Sequence, residues 1–462
     1  MPYSLGQVLA IGQIHPFYNS EFEYPPNPEA VQTLQAQETE DADDIELNSF
    51  GILSKKALSR VTDRLINDLS PINTFRQREY MSLTGGGSGS QPVPFMTDTL
   101  ENRKQRTEFG QFLRRTGLVK DGDWLITVHY SGDLYRSLDL TSETMENAGA
   151  TVLSAGHYMT NKAIVEYLQI YHVNVLSGES NQIAQIVHYI STLPKEKKAL
   201  IKLNKIIFTS EVLSRAQRTL VRSVLGEIEI YSVLGSAEAG PWAIHNPNLT
   251  GSHDDTCVQN FVFDSRSIKI EIFPVTMTEG QANLPKTLPE GEQGLIVQTS
   301  LSRLRNPLIR YNTGDIGSVH PFPKAARRYV RNEEWQDLRV IRLRGRDQRY
   351  GFMWDAVTFE KAKVTALLEQ ESFGILQWQV ILDHAQDTKA GTLELRLMCI
   401  ARDEGFLPYV EMIGRFREFF VVYPHNEHRF KASFVDDLSQ FERSVTGRKI
   451  IKFVNRINLE DA

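Results

Sequence analysis

Lys205-Ile-Ile-Phe-Thr-Ser-Glu-Val-Leu-Ser-Arg-Ala-Gln-Arg-Thr-Leu-Val-Arg-Ser-Val-Leu-Gly-Glu-Ile-Glu-Ile-Tyr231 decides the fold. A short apolar run at 205–209 reads as a strand, 214–225 as a helix, and 228–231 as the next strand. Working outward, the same alternation recurs: strands at 124–128, 151–153 and 173–176, and helices at 138–147, 161–171 and 182–192. Asp98 with Glu101 forms a capping box for a helix whose apolar stripe is Leu100, Phe109, Phe112 and Leu113, ending near Gly117. Short apolar runs separated by helical patterns predict βαβ units and an α/β fold, its sheet mainly parallel and flanked by helices. Right-handed crossovers put the strand C-termini on one edge, where ligands bind. The turns near Ser131–Asp133, Ser177–Ser180, Thr209–Glu211 and Leu234–Glu238 all follow strands, so one edge carries most of the candidate chemistry.

A chain of 462 residues is too long for a single core, and 41% hydrophobic with 23% charged residues is a globular composition. A large N-terminal domain over 1–345 and a small, mobile α+β C-terminal domain over 346–462 are expected. The smaller one has a helix at 359–370, strands at 377–382 and 393–400, and a helix at 409–420. Residues 1–80 read as irregular, with the acidic run Glu38–Glu46 as a surface loop. A net charge of −6 argues against nucleic acid as a partner, and the basic segment Lys324–Arg331 reads as a solvated loop and edge strand. Cys257 and Cys399 form no disulfide framework, and no run approaches the ~20 apolar residues of a membrane span, so a cytoplasmic location is expected.

Three stretches carry the chemistry. Thr84-Gly-Gly-Gly-Ser-Gly-Ser-Gln-Pro92 holds four glycines and three hydroxyl residues, suited to converging backbone N–H groups and hydroxyls on an anion; a flexible linker is the plainer reading. It matches neither the Walker spacing nor Gly-x-Gly-x-x-Gly. Leu234-Gly-Ser-Ala-Glu238 offers one carboxylate after a strand. Pro307-Leu-Ile-Arg-Tyr-Asn-Thr-Gly-Asp-Ile-Gly317 offers another in a tight turn, where an ionised carboxylate can accept two hydroxyl donors. His245, His253, Asp254, Asp255 and Cys257 have irregular spacing and read as a polar surface loop rather than a zinc site.

In this order and at these separations the stretches resemble the nucleotide-binding elements of the acyl-adenylate-forming superfamily, and its phenylacetate–CoA ligase-like branch in particular. His15-Pro-Phe-Tyr18 and Ile52-Leu-Ser-Lys-Lys56 resemble that branch's N-terminal region, and the similarity covers nearly the whole chain. The resemblance implies ATP and Mg²⁺ as cofactors. Thr84, Ser88, Gly89 and Ser90 would cradle the phosphates, Gly235, Ser236 and Glu238 would form the metal-binding turn with Glu238 on Mg²⁺, and Ser210 and Glu211 would line the adenine. Asp315 and Arg346 would take the ribose, with Gly345-Arg346-Asp347 as the interdomain hinge. Ser90 and Gln91 stand where glycine and lysine are usual, and Leu234 and Ala237 replace an aromatic residue and a threonine.

Thr446-Gly-Arg-Lys-Ile-Ile-Lys452 resembles the motif that delivers the adenylation lysine. Register from Gly447 designates Arg448 and counting back from Lys452 designates Lys449, whose compact ammonium is the better fit to a carboxylate and an α-phosphate. His129, Tyr135 and Trp242 are candidates for the acid pocket. The implied activity is ATP-dependent conversion of a small carboxylic acid to acyl-AMP, with transfer to the thiol of CoA or to an amine. Gly351–Val357 lacks the glycine-containing segment that lines the CoA tunnel in relatives, and a degenerate nucleotide-binding relative is the contrasting class.

Overall fold

The computed structural model describes residues 2–36, 46–84, 94–209, 213–251, 258–277, 284–330, 334–346, 351–355, 357–384, 391–400, 406–446 and 448–457. An 11-stranded sheet organises the larger part. Five of its strands, Trp124–Thr127, Thr151–Ser154, Val175–Glu179, Lys205–Thr209 and Glu229–Ser236, run parallel. Their side chains alternate between two buried clusters: Ile126, Leu176, Ile206 and Ile230 pack with the helices Asn161–Ile170, Ser180–Ser191 and Arg215–Leu225. Leu125, Val175, Ile207 and Tyr231 pack with Thr99–Arg115 and Ser137–Asn147. The period of two, with helices on both faces, makes the runs continuously apolar.

The other six strands correct the expectation of a mainly parallel sheet. From Glu229–Ser236 the order continues through Gly240–His245, Gln259–Asp264, Leu338–Arg346, Tyr311–Pro321, Gly294–Ser300 and Ile268–Phe273, every pairing antiparallel. Ser236 and Gly240 bound a tight hairpin, and such a turn leaves no room for the crossover a parallel neighbour needs.

Residues 1–80 are more regular than expected. Leu5–Gln13, Pro28–Ala36 and Lys55–Asn67 are helices, the first opened by a capping box of Ser4 and Gln7 and the third capped by Ser54. Leu53 forms a parallel bridge to Tyr311, which stitches this segment onto the antiparallel half of the sheet. Asp98 caps its helix as expected, but the carboxylate of Glu101 turns away and accepts the backbone N–H groups of Leu304 and Arg305 at 3.1 and 3.2 Å.

The smaller part is a four-stranded sheet in the order Phe430–Phe434, Gly391–Cys399, Ile375–His384, Phe453–Asn455. The helices Lys361–Leu368 and Tyr409–Phe419 bury Val364, Leu368, Met412 and Phe416 in its core. Leu376, Met398, Leu438, Phe441 and Ile450 leave that part and join Ala216 and Leu220 of the larger one. Gln217 Nε2 donates to the Leu376 carbonyl at 2.8 Å across the same junction.

Candidate active site

Glu238 occupies the tip of the Ser236–Gly240 hairpin. A β-carbon on Gly235 would sit 2.8 Å from the Gly240 carbonyl oxygen and from Pro241 Cα, so the two arms close only over a glycine. Ser236 Oγ accepts the Ala239 N–H at 3.1 Å, Gln105 Nε2 donates to the Ala239 carbonyl at 2.7 Å, and the buried Arg303 guanidinium donates to the Glu238 carbonyl. The backbone is thus clamped on three sides while the carboxylate projects beyond it. Tyr311 Oη donates to Glu238 Oε1 at 3.1 Å, and Lys55 Nζ lies 3.9 Å from the same oxygen. Burial raises the Tyr18 hydroxyl, which donates to the Pro307 carbonyl at 3.1 Å and so holds the segment before Tyr311.

Tyr311 opens the strand that carries Asp315. Antiparallel register sets Asp315 opposite Arg346, so the two residues assigned to the ribose are direct cross-strand neighbours. Thr313 Oγ1 accepts the Asp315 N–H at 3.0 Å and Asn312 Oδ1 accepts that of Gly314 at 3.1 Å, which fixes the turn-like segment inside the strand.

His129 follows the strand Trp124–Thr127 on the edge where the parallel strands end. Its two nitrogens are held by Thr127 Oγ1 at 2.8 Å and Thr209 Oγ1 at 2.9 Å. Burial, with the positive charge of Lys449 as a lesser cause, lowers its pKa to about 3, so the ring is neutral. Tyr135 is half-buried nearby. Burial raises its pKa, opposed by a hydrogen bond and the charge of Lys449, and the charges of Glu179 and Glu238 also reach it. The small part therefore brings Lys449 to Tyr135, with which it hydrogen-bonds, and near enough to His129 for its charge to act there; the charge of Glu238 reaches the same tyrosine. Arg448 turns outward and pairs with Asp133 at 3.4 Å, both half-exposed, so of the two candidates for the adenylation residue Lys449 is the inward one.

Thr84 is buried at the end of the strand Glu79–Leu83, and its carbonyl accepts the Thr446 hydroxyl at 2.7 Å. Ser88, Gly89, Ser90, Ser210, Glu211 and the side chain of Arg346 lie outside the described residues, as do Asp347, His253–Cys257 and the acidic run up to residue 45. Trp242 packs edge-on against Phe263 at 5.8 Å, between the clusters around Leu308 and Ile341. His245 is spent on the Asn260 carbonyl at 2.8 Å, and among the described residues no group of three or more metal-ligating side chains occurs. A cation at Glu238 would thus be held by one carboxylate together with oxygens of a bound phosphate, which is the donor set an ATP-bound Mg²⁺ needs. Sequence reasoning missed Lys55, Tyr311, Arg303 and Thr446. Lys55, Tyr311 and Thr446 each lie within a stretch already singled out for its resemblance, whereas Arg303 carried no signal.

The two-part architecture is similar in fold to that of a solved CoA ligase. Over 97% of this chain and 88% of the other, it superposes with a TM-score of 0.62 and 16% identity on 2-hydroxyisobutyryl-CoA ligase in the postadenylation state with 2-HIB-AMP. On the same ligase in the thioesterification state with 2-HIB-AMP and CoA the TM-score is 0.53, over 98% of this chain and 88% of that one. In sequence the chain is similar to the indoleacetate–lysine synthetase of Pseudomonas savastanoi, 28% identical over 210 residues. That match spans 45% of this chain and 45% of the synthetase, less than half the length of either. No family model matches the sequence. Among the described residues no helix is long and apolar enough to cross a membrane.

Proposed function

We propose that the chain is a cytoplasmic Mg²⁺- and ATP-dependent ligase of the phenylacetate–CoA ligase-like branch, which activates a small carboxylic acid as acyl-AMP. The observation that carries this reading is the approach of Lys449, from the small part, to Tyr135 and His129, with the charge of Glu238 reaching the same tyrosine. A carboxylate approaching the α-phosphorus of ATP meets anion–anion repulsion, so catalysis is mainly positioning and screening of charge. Lys449 screens the carboxylate and α-phosphate, and Asp315 with Arg346 fixes the ribose. Thr84, Ser88, Gly89 and Ser90 hold the phosphates, while Ser210, Glu211, Gly235 and Ser236 border the nucleotide. Glu238 would hold Mg²⁺, which would supply positive charge to offset that of the phosphates. Lys55, beside Glu238, restores the cation that Gln91 does not supply. The neutral, doubly anchored His129 and the half-buried Tyr135 form the acid pocket.

Bond making is then simple to balance. A carboxylate oxygen bonds to the α-phosphorus as the bond to pyrophosphate breaks. In the second step the acceptor attacks the acyl carbon, and AMP leaves. The boundary between the two domains is placed near Arg346, with rotation there admitting the acceptor. The acceptor is proposed to be the thiol of CoA. Transfer to an amine is the second reading, favoured by the likeness to a synthetase named for joining indoleacetate to lysine and by the hairpin of Phe352–Trp354 and Val357–Phe359, whose Trp354 is buried in the core of the small part.

The test is pyrophosphate release with a panel of aryl and fatty acids that includes indole-3-acetate. Acid-dependent release that disappears in Glu238→Ala supports the reading. Equal silence of wild type and variant on every acid, with ATP still bound, establishes the degenerate nucleotide binder instead. AMP formation stimulated by CoA or by lysine then decides the acceptor.

A further inference from the structure

The hairpin that carries Lys449 is held at its base by itself and at its tip by the larger part. Ser444 and Lys449 exchange two hydrogen bonds, Ser444 N to the Lys449 carbonyl at 2.7 Å and Lys449 N to Ser444 Oγ at 3.0 Å, and Arg443 bridges Ile450 just below. Thr446, 3% exposed, donates its hydroxyl to the carbonyl of Thr84, itself 4% exposed. Thr84 is the residue at which the strand Glu79–Leu83 gives way to the phosphate stretch. The preceding Leu83 N–H is bonded to the Leu134 carbonyl at 3.0 Å, in the Gly132–Tyr135 turn whose last member meets Lys449. Residues 83–84, 132–135 and 444–446 with 448–449 thus close on one another, and the Arg448–Asp133 pair joins two of these segments from outside.

The backbone at this junction is unusual on both sides of the contact. Asp133 and Leu134 on one side and Arg448 on the other have φ of 48°, 60° and 45°, a left-handed conformation that non-glycine residues adopt at a cost. Such outliers persist where surrounding contacts over-determine them. An exposed ion pair is too weak to do so alone. The buried Thr446–Thr84 hydrogen bond is the contact with the required leverage, since burial leaves the hydroxyl no water to exchange for its partner.

We propose that Thr446 is a positioning residue: its hydroxyl registers the Lys449 hairpin against the base of the phosphate stretch, so that the lysine reaches the α-phosphate only when the two parts are closed on each other. This rests on the adenylation reading above and adds the residue that couples closure to it. The contact is made by the side chain's oxygen and not by its methyl group, which separates it from ordinary packing.

Thr446→Val keeps the shape and removes the donor, whereas Thr446→Ser keeps the donor and removes the methyl group. In acid-dependent ATP–pyrophosphate exchange, kcat is expected to fall about five- to tenfold in Thr446→Val, with KM for ATP unchanged, and to recover in Thr446→Ser. Limited trypsinolysis gives a readout independent of any acid. Nicking after Arg443 and Arg448, followed by mass spectrometry, should be faster in the Val variant and at the wild-type rate in the Ser variant. A Val variant that matches wild type, or a Ser variant that loses as much as Val, overturns the proposal. If wild type exchanges with no acid, the adenylation reading falls separately. Trypsinolysis then decides the docking contact, equal nicking of wild type and Val overturning it.

Discussion

At the scale of the residue, the sequence left Arg448 and Lys449 in competition because a one-residue shift in register changes which side chain faces inward. The structure separates them: Lys449 meets Tyr135, and Arg448 reaches outward to Asp133. Under the proposed function, Lys449→Ala should lower the rate of acid-dependent ATP–pyrophosphate exchange about 10²–10³-fold, the usual cost of removing one donor from a developing anion. Arg448→Ala should cost no more than a few-fold, because the pair it loses is half-exposed and such pairs contribute roughly 0–1 kcal/mol. Equal losses in both variants would return the assignment to Arg448. Lys55 was legible only as part of a stretch that resembles relatives and not as a partner of Glu238, for it lies some 180 residues from that carboxylate in the chain and is brought to it beside the bridge of Leu53 to Tyr311. With its ammonium beside the oxygens that would hold the metal, Lys55→Met should raise KM for Mg·ATP several-fold and leave kcat nearly unchanged in the same assay. A loss confined to kcat would assign Lys55 to the transition state instead.

At the scale of the element, what the sequence made legible is what local pattern controls. The helices and strands from Asp98 to Leu225 fall within a few residues of expectation because their apolar faces repeat at helical or strand period and their ends carry Ser, Thr or Asp caps. Direction of pairing is a different matter. The strands from Gly240 to Arg346 are joined by turns and irregular segments, and nothing in an apolar run states which neighbour it pairs with; the antiparallel half of the sheet was therefore missed. The N-terminal helices were missed because dense Pro and acidic residues masked short capped segments. Gly235 of the Glu238 hairpin and Gly414 of a surface helix allow a direct comparison. Gly235→Ala drives a methyl group into the backbone of Gly240 and Pro241 and should destabilise the fold by about 1–3 kcal/mol in urea melts. Gly414, exposed within the helix Tyr409–Phe419, has open space at its β-carbon, so Gly414→Ala should add about 0.5–1 kcal/mol. Melts that move in the same direction for both would mean that the hairpin has room the geometry denies.

At the scale of the whole molecule, the segment Leu301–Tyr311 is suspended over a buried polar network that ties the N-terminal helices to both halves of the sheet. Arg305 lies between Asp98, at 3.0 Å, and Glu79, at 3.4 Å, and donates to the Thr74 carbonyl, while Glu101 accepts the Leu304 and Arg305 N–H groups. Burial dominates the titration of these groups. It raises Glu79 to about 8, against the opposing charge of Arg305, and Glu101 to about 7, against its backbone hydrogen bonds. It lowers His15 to about 3, against a side-chain contact with Asn306 too poorly aligned to satisfy either Nε2 or Oδ1, and lowers His129 to a similar value. The two kinds of group act in opposite directions. Below about 6.5 the unfolded chain protonates both histidines while the folded chain holds them neutral, so their contribution to stability is lost as pH falls toward 3. Above about 4.5 the unfolded chain ionises both glutamates while the folded chain keeps them protonated, so theirs is lost as pH rises through 7 and 8. Between roughly 4.5 and 6.5 the four largely offset one another, and above 6.5 the glutamates act alone. Each uncompensated proton changes stability by about 1.4 kcal/mol per pH unit. Glu79→Gln imitates the protonated side chain at every pH and removes one such proton. Its urea midpoint relative to wild type should therefore climb steadily from pH 5 to pH 8 and level off above that, whatever its offset at pH 5. A difference from wild type that stays constant across this range would mean that Glu79 is ionised in the fold, with Arg305 outweighing its burial.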